Sequence, residues 1–166
     1  MNGVVSIDRT PSSYDYSRRI KKVAEMQIEL RRVNDKVHFQ AKNPQGNTIE
    51  IDGAERVGGE GAGFRPMQLI LAGIGSCSSM DLVPILEKQR QRLDDVRIVV
   101  SGKRPDTVPS PFESIHLRFE LFGEIEEEKA KRAVELAVEK YCSVAEMLKH
   151  TVEITYEFAI NPARGA

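Results

Sequence analysis

The amino-acid sequence predicts an α+β fold, and three features carry that prediction. Stretches of apolar–polar alternation lie both before and after a long helix that is apolar nearly all round, and an amphipathic helix separates the last two such stretches. No segment repeats, so regular strand–helix units are not expected. With 166 residues, 40% of them hydrophobic and 30% charged, the chain is of a size to bury one core.

Residues 1–22 read as an N-terminal appendage. Thr10-Pro11-Ser12-Ser13 favours turns, and the basic cluster Arg18, Arg19, Lys21 and Lys22 reads as a solvated face. The domain proper is expected over residues 23–162. After Val23, residues Met26, Ile28 and Leu30 alternate with Glu25, Gln27, Glu29 and Arg31, which predicts a strand with one buried face. Turns at Asn34-Asp35 and Asn43-Pro44-Gln45-Gly46 set off two further strands, Val37–Ala41 and Thr48–Ile51, giving a three-stranded antiparallel meander. The glycine-rich stretch Gly53 to Phe64 lacks the Gly-Lys-Ser/Thr ending of a phosphate loop and the spacing of a dinucleotide fingerprint, so it reads as a flexible linker.

Pro66 suits a first helical position, where its missing N–H would have no intrahelical partner. The helix runs through Leu69, Ile70, Leu71, Ala72, Ile74, Cys77, Met80, Leu82 and Val83, and so apolar a helix is expected to be buried. Pro84 predicts a kink or break near Asp81 to Val83. Two strands follow, around Val96–Val100 and Ile115–Phe122, joined by a proline-rich loop from Arg104 to Pro111. Glu124–Tyr141 is predicted as an amphipathic helix, acidic in its first turn, with Ala130, Ala133, Val134, Leu136, Ala137 and Tyr141 inward. A helical turn, Ser143–Leu148, and a last strand, Val152–Ile160, complete the order.

The 24 basic and 25 acidic side chains nearly cancel, so bulk charge provides no attraction for nucleic acid or an anionic membrane. The N-terminus does not read as a secretory signal, and the most apolar run, Leu69–Gly75, is shorter than the roughly 20 residues that cross a bilayer. A cytoplasmic protein with no membrane span is the expectation. The two cysteines lack C-x-x-C spacing, and with three scattered histidines, His38, His116 and His150, they make a poor metal set; no metal and no cofactor are expected.

Cys77 lies mid-helix and Cys142 at the end of the amphipathic helix. At about 1.5 Å rise per residue, Cys77 sits roughly 16 Å from the helix start, beyond the turn where the helix dipole acts strongly. If this thiol reacts, a neighbouring cationic group must lower its pKa, because apolar burial would raise it.

The stretch Pro66-Met67-Gln68-Leu69-Ile70-Leu71-Ala72-Gly73-Ile74-Gly75-Ser76-Cys77, with Asp81 beyond it, resembles the central cysteine helix of the OsmC/Ohr superfamily. Glu139-Lys140-Tyr141-Cys142-Ser143-Val144-Ala145-Glu146-Met147-Leu148, followed by a strand, is similar to that superfamily's second-cysteine helix. The likeness covers roughly Val23 to Ile160. It implies an OsmC-like fold, an antiparallel sheet with a buried central helix in an intertwined homodimer. It further implies a thiol-dependent peroxidase: Cys77 attacks the O–O bond of a small organic hydroperoxide, Cys142 resolves the product as a disulfide, and a dithiol reductant reopens it.

The pattern departs from the peroxidases at three places. Their glutamate, ten residues before the first cysteine, is Met67 here, and the adjacent Gln68 is a neutral amide. Lys36 lies near the place of their arginine, with Arg31, Arg32 and Arg65 as alternatives, while Glu60 and Asp81 are the carboxylates that could substitute. Ser143 follows the second cysteine where the peroxidases usually carry proline. The resemblance is thus to a less characterised OsmC-like branch, for which a noncatalytic dimer that binds a small hydrophobic molecule or senses oxidants is the alternative.

Overall fold

The structure, a computed structural model, describes residues 5–6, for which only the backbone is considered, and residues 25–163. The basic cluster Arg18 to Lys22 lies outside the described residues. In chain order the elements are β1 (Val5–Ser6), β2 (Glu29–Arg32), β3 (Phe39–Lys42), β4 (Thr48–Ile51), a single 3₁₀ turn (Glu55–Val57), α1 (Pro66–Lys88), β5 (Arg92–Lys103), β6 (Ser114–Glu124), α2 (Glu127–Glu135), a π-helical segment (Leu136–Tyr141), α3 (Ser143–Leu148) and β7 (Glu153–Ile160). These gather into two compact units, residues 25–70 and residues 5–6 with 71–163. Val5–Ser6, within the stretch read as that appendage, is a strand.

The unit of residues 25–70 is the expected meander, β2-β3-β4, antiparallel throughout, with Leu30, Ala41 and Ile49 side by side. Gly46 makes the β3–β4 turn at φ +91°, a conformation that costs a residue with a Cβ. The alternation at Met26, Ile28 and Leu30 does not bury a face: all three are exposed, Met26 at 92%. Each strand is only four residues long, and among the described residues nothing covers that side of β2. The glycine-rich stretch is no flexible linker. The buried Asp52 carboxylate accepts the backbone N–H groups of Gly53 (2.7 Å), Glu60 (2.9 Å) and Ala62 (3.0 Å), which folds the loop back on the end of β4.

The second unit is built on a four-stranded sheet of order β1-β7-β6-β5. β5 and β6 form a long antiparallel hairpin, and β1 runs antiparallel to β7. The antiparallel sheet implied by the resemblance needs one qualification, since β6 and β7 pair in parallel. The α2, π and α3 segments form the crossover that parallel neighbours require. On β6, Ile115, Leu117, Phe119 and Leu121 are wholly buried, while His116, Arg118 and Glu120 point the other way. Ile154 and Tyr156 of β7, Leu82 and Leu86 of α1, and Ala130, Ala133, Val134, Ala137 and Val138 of the crossover complete the core. Each large apolar side chain so buried contributes about 1.5–3 kcal/mol.

Three helical expectations change. α1 passes through Pro84 without breaking, because the proline deletes one hydrogen bond while Leu82 and Leu86 on either side stay packed. Nor is α1 buried all round. Ile74, Gly75, Ser78, Leu82 and Leu86 face inward, with Gly75 directly against Val100, whereas Met80 and Val83 are exposed. By length and composition alone α1 could cross a membrane, but its spacing of buried residues is that of a core helix lying on a sheet. The predicted helix Glu124–Tyr141 is α only from Glu127 to Glu135. Its last turn widens, and the Cys142 N–H bonds the Ala137 carbonyl five residues back at 3.0 Å. That widening rotates the inner face, so Val138 is buried, Leu136 half-buried and Tyr141 exposed.

Candidate functional site

The π segment determines where Cys142 falls. Its widened turn ends in extended backbone at Cys142 (φ −67°, ψ 103°), which therefore becomes the residue that caps α3. The Cys142 sulfur accepts the Ala145 N–H at 3.3 Å and lies 3.8 Å from the Ile74 carbonyl of α1, to which its S–H donates. Tyr156 of β7 holds the segment from below: its Oη donates to the Glu139 carboxylate at 2.6 Å. Burial, then that carboxylate, push the Tyr156 phenol far above its ordinary range, so it stays protonated and remains a donor.

Cys77 belongs to the same face of α1, one turn beyond Ile74. It is half-buried, whereas Cys142 is 2% exposed. Both are free cysteines, and the Cys142 sulfur reaches the carbonyl of Ile74, one helical turn before Cys77. Two cysteines far apart in sequence are thus brought to one turn of α1 inside one unit, by the packing of the π–α3 junction against it. Burial pushes the Cys142 thiol up; the Ser78 hydroxyl and the Ala145 N–H act against that, and the Cys77 thiol adds to it. Cys142 is accordingly held protonated at neutral pH. Asp81, one turn beyond Cys77 on α1, is half-buried.

The other residues singled out from the sequence belong to the unit of residues 25–70. Lys36 and Glu60 form an ion pair at 2.7 Å, and the carboxylate raises the Lys36 ammonium above its ordinary value. About half of each side chain is open to water, so the pair adds little stability. Asp52 positions it by fixing the backbone at Glu60. The Ala62 and Glu60 N–H groups, in that order, hold the Asp52 carboxyl below the usual carboxylate range. Gln68 acts as a helix cap: its Oε1 accepts the Arg65 N–H at 2.8 Å, the backward half of a capping box around Pro66. The Arg65 side chain is exposed. His38 and Gln40 both bond Glu50 at 2.7 Å, and Gln40 first, then His38, keep that carboxyl below its ordinary range.

His116 bonds the Thr155 hydroxyl at 2.8 Å, and His150 is exposed. Among the described residues no three His, Cys, Asp or Glu side chains converge as metal ligands. Sequence reasoning missed three polar residues that matter here: Ser78, Asp52 and Tyr156. An Asp directly before a glycine-rich stretch is the one signal that could have pointed to a carboxylate gathering loop N–H groups.

The family model described as OsmC-like protein matches residues 59–157, which include both cysteines. Protein YhfA of Escherichia coli K12 is 36% identical over 123 residues, 74% of this chain and 89% of that protein. A crystal structure of a protein from Aquifex aeolicus VF5 superposes with TM-score 0.74 at 33% identity, covering 84% of this chain and 98% of the other. The organic hydroperoxide resistance protein OsmC of Legionella pneumophila superposes with TM-score 0.63, covering 86% of this chain and all of the other, and at 17% identity that likeness concerns the fold.

Proposed function

Because this chain belongs to the OsmC-like protein family, we propose that it is a thiol-dependent peroxidase that reduces organic hydroperoxides with Cys77 and Cys142. The observation that supports the reading is the placement of a half-buried cysteine, Cys77, and a buried one, Cys142, at the same turn of α1. The half-buried Cys77 meets the oxidant. As a thiolate it attacks the O–O bond; an S–O bond forms, and the alkoxide leaves and takes a proton to become the alcohol. Cys142 then gives up its proton and attacks the Cys77 sulfur. The S–O bond breaks, hydroxide leaves as water with that proton, and a disulfide remains. A dithiol, at hand in a cytoplasm, reopens it by two exchanges and restores both thiols.

A homodimer accompanies this reading. Met80 and Val83 of α1 and Met26, Ile28 and Leu30 of the first meander segment are apolar and exposed in one chain, which is the kind of surface a second copy covers.

A second reading, a noncatalytic dimer that senses oxidants or binds a small hydrophobic molecule, is favoured by Met67 at the place of the peroxidases' glutamate. The test is consumption of tert-butyl hydroperoxide with dithiothreitol present, wild type against Cys77→Ser. Turnover by wild type and none by the variant is expected; equal rates eliminate the peroxidase. A single stoichiometric oxidation without turnover selects the sensor.

A further inference from the structure

Ser78 is the residue after Cys77 and wholly buried, yet the two-thiol reaction leaves it without a task. Its hydroxyl donates to the Ile74 carbonyl at 2.9 Å, the same oxygen to which Cys142 donates at 3.8 Å. Two donors sharing one acceptor bring their heads together, and the Ser78 hydroxyl acts to lower the Cys142 pKa against the effect of burial. A serine hydroxyl has one proton on a freely turning bond, so it can serve either the carbonyl or the sulfur.

While Cys142 is a thiol, its own S–H needs an acceptor and the carbonyl is the best one at hand. When that proton leaves, a buried thiolate remains, and an anion without a donor is strongly disfavoured there. The Ala145 N–H already points at the sulfur, and a second donor completes its solvation. Asp81 of α1, Glu139 and Lys140 of the π segment and Glu146 of α3 are exposed or half-buried, whereas the sulfur itself is buried.

We propose that Ser78 is a catalytic residue of the disulfide-forming step: its hydroxyl turns from the Ile74 carbonyl to the Cys142 sulfur and donates to the thiolate as that sulfur attacks Cys77. This rests on the peroxidase reading for the origin of the oxidised Cys77. The step itself is balanced as before: Cys142 loses a proton, the S–S bond forms, the Cys77 S–O bond breaks, and water departs. Ser78 gains and loses nothing, and only its hydrogen bond changes partner.

The test has two arms. In stopped-flow mixing with tert-butyl hydroperoxide, wild type shows oxidation of Cys77 and then disulfide closure. S78A slows closure about tenfold or more, the factor a hydrogen bond to a charged group supplies, leaves the first phase unchanged, and S78T restores closure. In a Cys77→Ala background, the pH midpoint of Cys142 thiolate absorbance rises by about one pH unit on adding S78A. An unmoved midpoint, or closure and first phase slowed alike, overturns the role of Ser78. Absence of any oxidation in wild type, with the midpoint still shifted, instead overturns the peroxidase reading and leaves Ser78 as the donor to the Cys142 thiolate.

Discussion

Replacing Tyr156 with phenylalanine removes one oxygen atom from the core and leaves the ring in place, so it opens no cavity and isolates one hydrogen bond. That bond, 2.6 Å from the Tyr156 Oη to Glu139, ties the π-helical segment to β7. A hydrogen bond to a charged acceptor is worth about 1.5–3 kcal/mol. Glu139 is exposed, so its carboxylate rehydrates once released, and the cost belongs at the lower end, about 1.5 kcal/mol. For a chain of this size about 2–4 °C of Tm accompanies each kcal/mol, which gives a loss of about 3–6 °C. Calorimetry at neutral pH measures it. Because the segment carries Cys142, alkylation of that buried thiol should also accelerate, through easier local opening. Combining Tyr156→Phe with Glu139→Ala should cost no more than the larger single change. A Tm shift below about 1 °C, or full additivity, would show that this bond does not hold the segment.

Phe119→Ala should cost about 3–5 kcal/mol in urea denaturation, since Phe119 is wholly buried at the centre of β6. Gly75→Ala should cost about 1–3 kcal/mol in the same measurement, because the new Cβ would lie 2.8 Å from the stiff Val100 side chain; a neutral result would mean that α1 can lift from β5. Asp52→Asn should expose residues 53–63 to limited proteolysis, as an amide offers one acceptor oxygen where the carboxylate uses two. The Asp52 pKa is lowered on folding, so its contribution is present above the ordinary aspartate value of about 3.9 and is lost as pH falls through the lower folded value. The loop of wild type should therefore remain protected at pH 5 and open only in stronger acid.

Local signals carried much of this architecture. The period-two pattern of Ile115 to Leu121 predicts a half-buried strand that β6 displays residue for residue, Thr48–Ile51 falls where the turn before it places it, and the expected helical turn Ser143–Leu148 is α3. What escaped the sequence depends on distant partners. Period-two alternation at Met26, Ile28 and Leu30 specifies two faces without saying whether a single chain covers one of them. Helical periodicity cannot distinguish the i→i+4 turns of α2 from the one wider turn that delivers Cys142 to α3. The parallel pairing of β6 with β7 is likewise a property of the crossover. At the site, the family resemblance could nominate Cys77 and Cys142, but bringing Cys142 to the turn of α1 that carries Cys77 depends on tertiary packing. Ser78 and Asp52 drew no attention because small polar residues acquire chemistry only from the groups around them.

The most direct measurement is peptide mapping by mass spectrometry after one equivalent of tert-butyl hydroperoxide, with free thiols alkylated at quench. The account predicts a cross-linked peptide pair joining Cys77 to Cys142 within a single chain, two hydrogen atoms lighter than the reduced pair, and loss of both alkylation sites. Full alkylation of Cys142 beside an over-oxidised Cys77, or two untouched thiols, would contradict it.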